Sequence, residues 1–505
     1  SKPAVPAGDC SMMWRADPQP ERQMTHILTR RGTLKGIAAG IVSTPAIVRR
    51  SLAQSDPLPS LPNLSASDAL LLRPGDRSYE TYEPASNKRV LLRPKLRALC
   101  KTSKAVSVMV QWARSNNLAF ALRSGGHSYE GFSQSASVVI DTRLMNHIEF
   151  NRRARTMTVG SGATLAPVYE AIGAAGFGFP GGSCPTVGIA GHALGGGFGL
   201  IGRRFGLACD SLQWLEVVDP GGAVIVADAQ HNPDLFWAAR GGGGGSFGAV
   251  TKFRFAIYPI SRIVVFGVTW TLPQARAVKL FRAWQAWAPQ APSSITTFMR
   301  VNGMADGKVE LHCAGQSTGS ETELRRELRA LLDIAQPASA LRVRSMSFLA
   351  AARYFFGPPE QPTYFKAKSD YVTTPLGEDG AAAFLTELQK IRSVVAICDS
   401  YGGAVGRIAD SATAFAHRAG TQFCIQYFSE WSDDGDTASR LANMRDLYAA
   451  MRPYVSGGAY VNYCDLDLGD WAQAYWGSNL PRLRQIKSTF DPDNVFRHAQ
   501  SVPLL

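Results

Sequence analysis

Two side chains with nucleophilic potential stand among glycines. His127 lies in Arg123-Ser124-Gly125-Gly126-His127-Ser128-Tyr129, and Cys184 in Gly181-Gly182-Ser183-Cys184-Pro185-Thr186-Val187-Gly188. Gly191-His192 and Gly195-Gly196-Gly197-Phe198-Gly199 follow, and Arg240 leads into five consecutive glycines ending in Ser246-Phe247-Gly248. Consecutive glycines expose backbone N–H groups that can approach a pyrophosphate without side-chain obstruction. A histidine and a cysteine flanked in this way can reach the edge of a large bound ligand. Taken alone, each reads as an inert buried side chain; the shared glycine context argues otherwise. Near the C terminus, Tyr460-Val461-Asn462-Tyr463-Cys464-Asp465 offers two phenols. A phenol with an ordinary pKa of ~10 serves as a base only where charge or hydrogen bonds favour its anion.

Two rival motifs fail on context. Gly197-Phe198-Gly199-Leu200-Ile201-Gly202 matches GxGxxG, with Glu216 near the ribose position, but residues 181–196 are glycine-rich where a hydrophobic strand should precede it. Gly244-Gly245-Ser246-Phe247-Gly248 matches the hydrolase elbow, and His417 or His498 nominally completes a triad. Five glycines stand where the strand aiming the serine should be.

Read together, the clusters resemble the berberine bridge enzyme-like family of the vanillyl-alcohol oxidase superfamily. Residues 123–129 resemble its histidyl-flavin loop, 181–199 its cysteinyl-flavin segment and 240–248 its next FAD-contacting loop. Tyr460 to Asp465, Tyr475-Trp476-Gly477-Ser478-Asn479 and Asp491-Pro492-Asp493-Asn494-Val495-Phe496 resemble its C-terminal part. The resemblance implies an FAD oxidase with flavin bonded to His127 at 8α and to Cys184 at C6. It implies cofactor contacts from Arg123, Ser124, Gly125, Gly126, Ser128, Gly182, Thr186, Val187, Gly188, Gly191, Gly196, Gly197, Gly199, Gly248, Val250, Tyr460, Asn462 and Tyr463. His192 would support the N1/C2 carbonyl side, and Val187 would stand at the oxygen gate. Tyr463 would be the base, Tyr460 its understudy, and Gln426 its support from a facing strand. Cys424 stands where plant alcohol oxidisers carry lysine, a departure that bears on the base. Gly403 to Arg407 lie around the position of the strand on which berberine bridge enzyme carries its glutamate base, which argues against ring closure by a carboxylate base. The expected substrate is a small molecule, first a saccharide on which Trp431 could stack, then a secondary-metabolite alcohol or amine, with O2 as acceptor and H2O2 as product. A flavin dehydrogenase using another acceptor is the alternative.

The elements that must position these residues are legible in part. Periodicity predicts helices over 103–116 (N-capped by Ser103), 165–174, 274–288, 381–395 and 470–489, and a Ser320/Glu323 capping box ahead of Leu324. Strands are expected at 118–122, 138–141, 155–159, 250–257, 296–302, 308–313, 421–428 and near 458, with a hairpin joining 214–218 to 223–227. The expected fold class is α+β in two domains: a lead-in over 54–80, an FAD-binding domain over 81–259 and 451–505, and a substrate domain of antiparallel sheet backed by helices over 260–450.

Composition bounds the rest. With 505 residues, 45% apolar and 18% charged, the chain is an ordinary globular one, long enough for two cores. Residues 125–248 hold 26 of the 48 glycines. Thr29-Arg30-Arg31-Gly32-Thr33-Leu34-Lys35 and the apolar run 36–48 resemble a twin-arginine export signal within residues 1–53, too short for a membrane anchor at ~20 residues. Residues 1–53 carry eight Lys/Arg and three Asp/Glu, so without them the net charge falls from +13 to +8. No basic block interleaved with aromatics points to nucleic acid. Export through the twin-arginine machinery to the periplasm or medium, as a monomer or weak dimer, is expected. The eight cysteines form no zinc pattern, and no disulfide pair can be chosen.

Overall fold

The computed structural model describes residues 58–82, 85–356 and 362–505. The export signal expected over 1–53 lies outside them. The fold is α+β, in two parts: a first domain with two main sheets and a second domain built on one large sheet.

The first domain holds two main sheets. β1 (Ala69–Leu72), β2 (Leu96–Cys100), β3 (Phe120–Arg123) and β4 (Val138–Asp141) form a sheet of order β1-β2-β4-β3, parallel except for β1. The helix Ser103–Ser115 buries Val106, Met109, Val110 and Ala113 against it. Its N-cap is Thr102, one residue before the expected Ser103, because the Thr102 hydroxyl accepts from Ala105 N. β5 (Ile148–Asn151), β6 (Thr156–Gly160), β8 (Leu212–Val218), β9 (Val224–Asp228) and β10 (Ala249–Ala256) form an antiparallel sheet of order β5-β6-β10-β8-β9. The pair β7 (Phe177–Gly178) and β11 (Tyr258–Pro259) lies apart.

The second domain is a seven-stranded antiparallel sheet. It comprises β12 (Ile263–Pro273), β13 (Ile295–Gly303), β14 (Lys308–Ser317), β15 (Arg342–Met346), β16 (Tyr364–Val372), β17 (Val395–Ser400) and β18 (Phe423–Trp431), in the order β15-β12-β14-β13-β17-β18-β16. Helices Gln274–Trp287, Glu378–Lys390 and Thr437–Met451 cover one face. Side chains alternate across a strand with period two. On β13, β17 and β18 this sends Met299, Val301, Ala396, Cys398, Phe423, Ile425 and Tyr427 into the helix-backed core. Phe298, Arg300, Val395, Ile397, Asp399, Gln426, Phe428 and Glu430 take the opposite face, toward the first domain.

Three expected elements change. The helix read over 381–395 is Glu378–Lys390, because Val395 opens β17. The strand expected near 458 is a short 3-10 turn, Val461–Tyr463, and helix 470–489 is split at Gly477, whose φ is +47°. Gly403–Arg407, around the position compared with a glutamate base, form a short helix.

Candidate active site

The loop that leaves β3 carries His127. It packs directly on the turn after Cys184: a Cβ on Gly125 would sit 2.3 Å from Gly188 N, so only glycine allows the two backbones to meet. Ser124 Oγ donates to Ser161 O at 2.7 Å, anchoring the loop's base. His127 Nε2 and Thr186 Oγ1 lie 2.9 Å apart, joining the two segments again. Burial, with Arg123 nearby, lowers His127 to about 4, so its imidazole is neutral at pH 7.

The Cys184 turn is held from behind. Tyr169 Oη donates to Gly182 O at 2.6 Å, and Gly182 N donates to His192 Nε2 at 3.0 Å. An accepting Nε2 puts the His192 proton on Nδ1. Burial lowers His192 to about 4 as well, so it can offer a neutral N–H donor. Cys184 is disulfide-bonded, not a free thiol.

Two cavities meet here. One, of about 270 Å³, runs along residues 120–129, 187–194, 242–250 and 461–464. The other, of about 330 Å³, lies between the Cys184 turn and the open face of the seven-stranded sheet. Tyr129, Val187, His192, Asn462 and Tyr463 line both.

The first cavity has the lining that FAD needs. A Cβ on Gly191 would meet nothing within 4 Å, and one on Gly244 only Gly191 Cα and Leu194 Cδ1 at 3.8 Å. Neither glycine has a positive φ. Protein packing therefore does not demand glycine at either place, whereas a ligand backbone lying against them does. Arg123, Ser124, Gly125, Gly126, Ser128, Gly188, Gly248 and Val250 line the same cavity. Gly182 and Gly199 line the second. Gly196 and Gly197 reach neither: a Cβ on each would strike Phe415 or Ala208 at 2.7 Å, so these two serve protein packing.

The tyrosines divide their work. Tyr460 Oη receives N–H bonds from Gly197 at 2.9 Å, Phe198 at 3.3 Å and Asn462 Nδ2 at 2.9 Å, which ties down the 197–198 loop. Asn462 Nδ2 also donates to His192 O at 3.0 Å. Tyr463 lies parallel to Tyr129, ring centroids 5.7 Å apart. Gln426, expected to support Tyr463, donates instead to Tyr129 Oη at 3.0 Å. Burial and the charge of Asp399 hold the Tyr463 phenol well above its ordinary value.

Tyr129 and Asp399 were not singled out from the sequence. Tyr129 ends the quoted His127 motif, so its signal was present. Asp399 is paired in register with Cys424 and Phe298 and lines the second cavity. Burial raises its carboxyl to about 7. A carboxylate thus stands in the cavity, supplied by β17 and not by residues 403–407. The rival motifs dissolve: no strand enters Gly197, and Ser246 Oγ accepts from Val502 N, while His417 and His498 bond to backbone carbonyls.

Comparison with known proteins agrees with this geometry. A family model described as "FAD binding domain" matches residues 94–228, and one described as "Berberine and berberine like" matches residues 459–503. The chain is 34% identical over 438 residues to the uncharacterized FAD-linked oxidoreductase YgaK of Bacillus subtilis, covering 85% of this chain and 96% of that one. It is 35% identical over 439 residues to monolignol oxidoreductase AtBBE-like 13 of Arabidopsis thaliana, covering 79% and 82%. Among solved structures, Physcomitrella patens BBE-like 1 superposes with a TM-score of 0.82 at 32% identity, covering 87% of this chain and 98% of that one.

Proposed function

The chain belongs to the berberine bridge enzyme-like family of FAD-dependent oxidoreductases, and from that premise we propose that it oxidises an alcohol carbon of a saccharide or similar polyol. The carrying observation is the polar face of the sheet. Arg300, Asp399, Gln426 and Glu430 line one cavity that shares five residues with the glycine-lined one. A substrate bearing many hydroxyls can hydrogen-bond along such a wall, which an apolar one cannot.

When bound, FAD would supply a hydride-accepting N5, with O2 as the final acceptor and H2O2 as the product. The protein's part is orientation and proton removal. Gln426 fixes the Tyr129 hydroxyl, and Tyr129 and Tyr463 form a parallel wall for the reacting hydroxyl. Asp399, with a carboxyl near 7, matches a proton acceptor working at neutral pH better than Tyr463, whose phenol is pushed up. We therefore assign the substrate proton to Asp399, with Tyr463 as the hydroxyl that presents or relays it. His192 Nδ1–H suits charge developing on the reduced ring.

His127 and Cys184 are proposed to carry the 8α and C6 bonds. With Nε2 of His127 engaged by Thr186, Nδ1 is the nitrogen for that bond. A disulfide and a thioether cannot share one sulfur, so the Cys184 bond requires its reduced form. Val187, lining both cavities, is assigned to the oxygen side. Export by the twin-arginine route, as a flavin-loaded monomer or weak dimer, belongs to the same proposal.

The test is oxygen uptake and peroxide release across monosaccharides, cellobiose and longer oligosaccharides, with aromatic alcohols and amines in parallel. Phe198, Phe298 and Phe428 in the cavity wall favour an aromatic alcohol as the second reading. Flavin reduction by cellobiose without peroxide would replace oxidase by dehydrogenase. Reduction by aromatic alcohols alone would overturn the saccharide.

A further inference from the structure

Six charged side chains cluster behind the stacked tyrosines. Arg89 pairs with Glu130 at 3.0 Å. Lys366 Nζ lies 2.5 Å from Glu130 and 2.6 Å from Asp465, and Lys368 Nζ lies 2.6 Å from Asp465. Both lysines also reach Asp467, at 3.4 and 3.3 Å. Glu130, Lys366, Lys368 and Asp465 are each at most 5% exposed. Three cations meet three anions, so the cluster is neutral. Buried ion clusters are weak sources of stability, because desolvation offsets the Coulomb gain. What this one does supply is a fixed distance between the segments it joins.

Those segments are the ones that build the site. Glu130 follows Tyr129 in the His127 loop. Asp465 lies two residues after Tyr463. Lys366 and Lys368 sit on β16, whose Ser369 pairs in register with Gln426 on β18. Asn87 adds a neutral tie, donating from Nδ2 to Tyr129 O at 2.8 Å and to Phe365 O at 3.0 Å. Among the described residues, Lys366 is the cation that touches both Glu130 and Asp465.

We propose that Lys366 is a positioning residue for the reaction: by bridging Glu130 and Asp465 it holds Tyr129 and Tyr463 parallel and at one spacing, in register with the strand that presents Gln426. The proposal rests on the site reading above. Lys366 touches no reacting atom; it acts through the two tyrosines.

The geometry offers a clean cut. Lys366→Met is close in volume and removes the bridge, yet leaves a cation on each carboxylate, Arg89 on Glu130 and Lys368 on Asp465. Crystal structures and visible circular dichroism of the flavin-loaded variant test the proposal. The expected result is a native fold in which the Tyr129–Tyr463 pair loses its parallel 5.7 Å arrangement and the flavin band changes shape. Lys366→Arg should restore both. Flavin reduction by cellobiose should slow ~10–100-fold in Lys366→Met, the scale of a misplacement of about 1 Å. Parallel rings at the original spacing in Lys366→Met would overturn the proposal whatever the turnover. If that variant does not fold, Glu130→Gln weakens the same link and is judged by the same ring geometry. Tyr463→Phe, run beside it, separates the two readings. A normal flavin-reduction rate there overturns the role of Tyr463, while the ring geometry still judges Lys366.

Discussion

Gln426 donates a side-chain N–H to the hydroxyl of Tyr129 at 3.0 Å. That bond joins β18 of the sheet domain to the loop bearing His127. Tyr129 is half-buried, so losing that bond costs up to about 1 kcal/mol. Gln426→Leu should therefore lower the melting temperature and, by releasing Tyr129, slow flavin reduction ~10-fold. Stopped-flow absorbance of the flavin checks the second effect.

Asp399 sets a pH dependence. Its carboxyl titrates at about 7 in the folded protein. A proton acceptor must be ionised, so flavin reduction should rise with pH through about 7 and level off above it. Asp399→Asn should abolish that limb and reduce the rate ~100-fold or more. A wild-type profile flat from pH 5 to 9 would remove Asp399 from the mechanism.

The same residue costs stability, and the sign follows from linkage. Its folded pKa is raised from 3.8 to about 7, so the folded state holds its proton longer than the unfolded chain. Stability is thus lost as pH rises from about 4 to about 7, and the loss is complete above 7. Asp399→Asn should raise the melting temperature at pH 8 and change it little at pH 4. Asp370, also raised to about 7 by burial, contributes in the same direction and is unaffected by that substitution.

Gly191→Ala separates folding from cofactor loading. A Cβ there meets nothing within 4 Å, and the residue lies inside a helical turn. Alanine should leave the flavin-free protein as stable or more so, by about 0.5–1 kcal/mol. Flavin content, read from absorbance at 450 nm against 280 nm, should fall. Full flavin content in this variant would mean that the cofactor does not lie against this turn.

The covalent links have a direct readout. Acid-precipitated protein should remain yellow, with mass increased by one FAD. His127→Ala and Cys184→Ala should each keep the colour through the other bond, and the double variant should lose it. A colourless wild-type pellet would exclude both bonds.

Much of the flavin side was legible in the sequence because its signals are local. His127, its flanking glycines, the Cys184 turn and the run 241–245 each sit within a few residues, and backbone exposure by glycine depends on nothing distant. The linear order of motifs was enough to identify the family and the cofactor. The charge arithmetic is likewise a property of the chain alone.

Tertiary structure decided the chemistry at the substrate. Asp399 is one polar residue in Val395–Ser400, and only the pairing of β17 with β13 and β18 turns it, with Arg300 and Gln426, onto the open face. A strand shifted by one residue would have sent Asp399 into the helix-backed core. Gln426 found Tyr129 rather than Tyr463, and Lys366 found Glu130 and Asp465, across separations of 236 and 99 residues. Gly196 and Gly197 carry the same sequence signal as Gly191, yet they pack against Phe415 and Ala208. Local spacing determines which backbone can bend and which side chain stands beside it. Which groups share a low-dielectric cavity, and so which carboxyl titrates near 7, follows from long-range packing that no window of sequence contains.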